Sequence, residues 1–117
     1  MSTAQVVLAL VAIGLNGFSG TAAVLRWSVI LPGMRRAGVP ESWLVFPIGV
    51  GKLLGAAGIA AGFVVPALGV AAAVGLVLYF TCAIYTHVRA GDFGFQFGLA
   101  FVFLGVAGAN VALGLTA

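Results

Sequence analysis

The chain has 117 residues, 63% of them hydrophobic and 6% charged, with a mean hydropathy of +1.28. A water-soluble domain carries about 25% charged residues, so this chain cannot cover itself with polar groups and lipid is its expected solvent. The net charge of +3 comes without any basic tract interleaved with aromatics, which argues against nucleic acid and for a positive membrane-surface patch.

A membrane-spanning helix needs about 20 mainly apolar residues. The first such run extends from Ala4 to Leu31, interrupted only by Asn16, Arg26 and small residues. It lacks a basic n-region and runs too long for a plain secretory signal, so it reads as a retained span. The segment "PGMRRAGVPES" (32–42) then concentrates Pro32, Gly33, Gly38, Pro40 and three charges, which predicts a loop. From Trp43 to Val88 the apolar run exceeds one span. "GFVVPALG" (62–69) divides it, because Pro66 has no amide hydrogen and is excluded from a helix interior. The turn "RAGD" (89–92) precedes a last run from Phe93 to Leu115. The expected architecture is an all-α membrane protein of one domain over 1–117, an antiparallel up-down four-helix bundle. Its helices are predicted over about 4–31, 43–63, 67–89 and 93–115.

Arg35 and Arg36 occupy the first loop, Arg89 the third, and Arg26 the adjoining end of the first helix. By the positive-inside rule those loops are cytoplasmic and both termini lie outside. Trp27 and Trp43 fall near the same helix ends, where an interfacial belt places them.

The 18 glycines do not form phosphate-binding loops. Gly51, Gly55, Gly58 and Gly62 recur at i, i+4, i+7 and i+11 on one helical face, and Gly94, Gly98, Gly105 and Gly108 mark a second seam on the last helix. In lipid, small residues let helix backbones approach closely. Phe93, Phe97 and Phe101 form an aromatic stripe that would suit lipid or interhelical packing, or a flat ligand such as a quinone.

Lys52, the one lysine, lies about ten residues into the second predicted helix. A charge near mid-bilayer costs about 2.5–3.5 kcal/mol on insertion scales and usually faces a bundle interior or a wet cavity. Side chains tilt toward the N-terminus of their helix, so Lys52 on the second helix and His87 on the third converge in depth. Arg26 and Gln96 join them near the cytoplasmic end, with Tyr79 two turns deeper. These five are the expected ligand-binding residues. For Lys52 the alternative is a snorkelling side chain. For His87 and Arg89 it is interfacial anchoring. Asp92 is expected to cap the last helix and Glu41 the second, or either to act as an ion-pair partner, as Arg89 would. Cys82 reads as a small buried residue and Asn16 as an interhelical hydrogen-bonding group. With one cysteine and one histidine there is no CxxC motif and no metal-ligand cluster, and no catalytic triad pattern is present.

The segments "GVP" (38–40), "GVGKLLGAAG" (49–58), "VPALG" (65–69) and "LYFTCAIYTHVRAGD" (78–92) resemble the DoxX-like family of small bacterial membrane proteins. The resemblance implies a multi-pass four-helix bundle in the bacterial cytoplasmic membrane. The family name derives from a quinone-linked thiosulfate oxidation system, relatives associate with redox complexes, and a distant animal relative is a receptor-assembly chaperone. Lys52, His87, Arg89 and Asp92 match recurrent positions without assigned roles.

The function expected from both readings is a non-catalytic or auxiliary membrane subunit. Its basic pocket would take a small anionic or quinone-like ligand, or a lipid headgroup, from the cytoplasmic side. The alternatives are an assembly or chaperone factor that packs against partner helices through glycine seams, and a small transporter acting as an oligomer. Beyond the lipid bilayer, the expected partners are a second copy of the chain or a membrane redox protein. The residues demand no cofactor, and a quinone is the one they would suit.

Overall fold

Ser2 starts the first helix, α1 (Thr3–Val24), through a capping box: its hydroxyl accepts from the Gln5 amide while the Gln5 side chain accepts from the Ser2 amide. A computed structural model describes the chain over residues 1–28 and 30–116. Within the predicted first span, Val29 therefore lies outside the described residues. The helix ends at Val24 rather than near residue 31. Trp27 N donates to Ala22 O and Arg26 N to Ala23 O, the paired bonds of a Schellman cap, with Arg26 in the left-handed position at φ +52°. Glycine normally occupies that position, so the sequence carries no stop signal there.

The predicted loop contains a short helix, α2 (Leu31–Arg36), with Pro32 in its first turn. Val39 N donates to Met34 O and Gly38 N to Arg35 O, so Gly38, at φ +74°, ends it by the same cap. Proline at the start and glycine just past the end is the usual asymmetry of a helix.

The expected single helix over 43–63 is instead composite. Glu41–Trp43 form one tight 3-10 turn, Leu44–Gly49 continue irregularly, and only α3 (Val50–Ala61) is regular. Phe46 is extended (φ −137°, ψ 130°) because the ring of Pro47 crowds a helical residue before it. Next comes α4 (Pro66–Ala90), with proline in its first turn, and then α5 (Phe95–Thr116). The described residues contain no strand. Four segments, Thr3–Val24, Glu41–Ala61, Pro66–Ala90 and Phe95–Thr116, are each long and apolar enough to cross a membrane. The longest dimension of the fold, 39 Å, exceeds the ~30 Å hydrocarbon thickness of a bilayer.

Close backbone approach organises the packing. A methyl added at Gly55 would lie 2.5 Å from Leu76 Cδ2, at Gly58 2.5 Å from Ala72 Cβ, and at Gly62 2.7 Å from Gly69 Cα. The α3 seam is therefore spent inside the bundle, against α4. On α1, Gly20 lies under Leu53 and Lys52 and beside the carbonyl of Gly49, which seats α3 on α1. The second predicted seam differs: Gly98, Gly105 and Gly108 on α5 have no neighbour within 4 Å of an added methyl. Leu76, Phe80, Phe103 and Ile59 form the apolar centre with Ala9, Ala12 and Ala107. Gln5 donates to Leu113 O and Asn110 to Leu8 O, tying the start of α1 to the end of α5. Asn16 is 2% exposed but bonds within its own helix, to Ala12 O, and its Oδ1 has no partner among the described residues. It does not make the interhelical bond expected of it.

Candidate functional site

At the end of the bundle that carries α2 and the 91–94 turn, the four spans line a cavity of about 370 Å³. Its roof is Met34, Ala37 and Val39, and Ala37 is only 1% exposed. The remaining wall comes from Ser19 on α1, Lys52 on α3, the Trp43–Ile48 stretch, the Leu78–His87 part of α4, and Gln96, Leu99, Ala100 and Phe103 on α5.

Lys52 supplies the one full positive charge in this lining. Its Nζ donates to Ser19 Oγ at 2.6 Å and lies 5.3 Å from the Phe103 ring centroid and 5.8 Å from that of Phe80. Both rings are within cation–π range, where each contributes about 0.5–2 kcal/mol. The Gly20 contact brings this about: α3 can come close enough to α1 for its lysine to reach the neighbouring serine. Among the described residues no carboxylate lies within ion-pair distance of Lys52. Ser19 escapes sequence reading because a single serine on an apolar helix carries no signal of its own.

His87 is 5% exposed, and its Nδ1 lies 3.0 Å from Asp92 Oδ2. Gly91 creates this pair. With Gly91 at φ +68°, Gly91 N donates to Val88 O and Asp92 N to His87 O, turning Asp92 back over the last turn of α4. The other Asp92 oxygen accepts from Gly94 N at 3.3 Å and stands 3.8 Å from Arg36 Nε. Asp92 thus joins α2, α4 and the start of α5. It acts as a hub rather than only as a helix cap. An ionised Asp92 orients the ring with Nδ1–H toward itself. The other ring nitrogen, Nε2, makes no hydrogen bond among the described residues.

Tyr79 also lines the cavity, but its hydroxyl donates to Ile48 O at 3.2 Å, across to the irregular segment. The stem of Gln96 packs under Gly33 of α2, where an added methyl would meet its Cγ at 2.5 Å. The structure therefore brings Lys52, His87, Gln96 and Tyr79 to one cavity.

Arg26 does not join them. The early end of α1 and the left-handed backbone there carry it off the helical path, and it is exposed outside the lining. Arg89 is exposed and makes no ion pair among the described residues; Arg36 takes that place beside Asp92. Glu41 sits exposed in the first 3-10 turn with no side-chain cap bond. Cys82 is exposed at the cavity rim, not buried. The stripe Phe93, Phe97 and Phe101 forms an edge-to-face ladder with centroids 5.2 and 5.0 Å apart, outside the cavity, and its inner ring reaches His87 at 6.1 Å.

Four apolar spans around a lysine-bearing cavity define a multi-pass α-helical membrane protein. Within that class, the chain belongs to the DoxX-like family, whose profile matches residues 5–111. No curated protein and no solved structure gives a significant match.

Proposed function

We propose that the protein is an auxiliary membrane subunit that binds a small anionic or quinone-like ligand, or a lipid headgroup, in the Lys52 cavity. The observation that carries this reading is a lysine inside an otherwise mostly apolar cavity, held by a hydroxyl and two aromatic faces, with no carboxylate among the described residues to neutralise it. Charges in such surroundings are expensive unless paired, and a bound anion or electron-rich carbonyl oxygen supplies the missing partner. The basic residues of the α2 end support a cytoplasmic placement of the cavity, in the bacterial cytoplasmic membrane with both termini outside. Native mass spectrometry of the protein released from mild detergent tests the reading. The unmodified chain is expected to carry a small ligand that a folded Lys52→Met protein loses. Equal retention by both would refute it.

A second reading, an assembly factor, draws on one specific observation: Gly98, Gly105 and Gly108 leave α5 open to close approach by another helix. An obligate partner chain in the same extraction, lost when these glycines are replaced by leucine, would favour it.

A further inference from the structure

The cavity is closed toward the loop end and open on its flank. Ala37, Met34 and Val39 cover it from above, whereas Leu78 is 63% exposed, Trp43 46% exposed, and Pro47 and Cys82 are also on the outer surface. These four lining residues stand on the two edges of a gap. The Leu44–Gly49 segment packs chiefly on α1 and α3 and meets α4 through the Tyr79–Ile48 hydrogen bond. The gap is a window in the lipid-facing side of the bundle. Ser19, which bonds Lys52, lies five residues before the end of α1, so the ammonium sits about 7.5 Å below that end. That depth lies within the spans, on the loop-end side of their middle and so at the level of one leaflet.

We propose that the occupant is a single-chain carboxylate amphiphile drawn sideways from that leaflet, its carboxylate on Lys52 and its chain leaving through the window. The proposal rests on the anion-pocket reading and names the ligand class and its route. One ammonium matches one carboxylate, whereas a phosphate dianion would need a further cation. A cavity of about 370 Å³ is at the small end of ligand sites, which run ~300–1,000 Å³, so it takes a compact head and one chain rather than a diacyl lipid.

The chain has two tryptophans, and only Trp43 lines the cavity. A Trp27→Phe protein in nanodiscs therefore reports from the rim, and a brominated long-chain fatty acid serves as quencher. Saturable quenching by the acid is expected, about tenfold or more weaker for its methyl ester, which keeps the chain but loses the charge. Lys52→Met should reproduce that loss for the acid. Cys82→Phe, which narrows the window, should weaken quenching by the acid. Equal quenching by acid and ester overturns the proposal and needs no variant of the cavity. Displacement of the acid by acetate at equal concentration also overturns it, showing an anion taken from water, and leaves the pocket reading standing. Absence of Lys52-dependent binding for acid and acetate alike overturns both.

Discussion

Replacing Gly58 by alanine tests whether α3 and α4 meet backbone to backbone, the contact that sets Lys52 of α3 against Phe80 of α4. The added methyl would stand 2.5 Å from Ala72 Cβ. Alanine has no side-chain torsion with which to move aside, so the two helices must part. Overpacking of this kind costs ~1–3 kcal/mol, and a rigid neighbour places it toward the upper end. Exchanging glycine for alanine in a helix returns about 1 kcal/mol. The net expectation is a loss of about 1–2 kcal/mol. Gly105 on α5 is the control, since nothing lies within 4 Å of its added methyl; there the helical gain stands alone, up to about 1 kcal/mol. The two variants should therefore differ by roughly 2–3 kcal/mol, some 30- to 150-fold in the unfolding equilibrium. Unfolding in mixed micelles with increasing dodecyl sulfate, followed by circular dichroism, measures that gap. Indistinguishable Gly58→Ala and Gly105→Ala midpoints would refute close α3–α4 contact.

Asp92→Ala leaves the buried His87 ring and the Arg36 side chain without their shared acceptor and is expected to cost about 1–3 kcal/mol; unfolding as stable as wild type would contradict the hub geometry. Arg26→Gly places the usual residue in the left-handed cap position, and a gain of about 0.5–1 kcal/mol is expected in the same titration. A drop in stability would show that the Arg26 side chain holds contacts that outweigh its backbone strain. Alkaline phosphatase fused after residue 117, which is itself outside the described residues, should be active; a fluorescent protein that matures there, with an inactive phosphatase, would invert the topology and with it the cytoplasmic placement of the cavity.

The amino-acid sequence alone determined the solvent, the number of spans and the residues worth watching, because each follows from summed or local properties. Apolar runs of sufficient length specify spans whatever packs against them, and a lone lysine in such a run is conspicuous on cost alone. Gly91 and Asp92 were legible as a turn by the same local logic. Tertiary structure decided which polar groups share a cavity. Arg26 and Lys52 both read as isolated charges inside predicted helices, yet a Schellman cap with arginine in glycine's place ends α1 early and turns Arg26 outward. Ser19 acquires a role only because Gly20 lets α3 come close, and Arg36 only because α2 folds back over Asp92. The gap beside Leu44–Gly49 depends on how a broken segment packs on α1 and α3. Sequence spacing reports which residues share a helix face, but the distance between two faces is set by the side chains of both helices together.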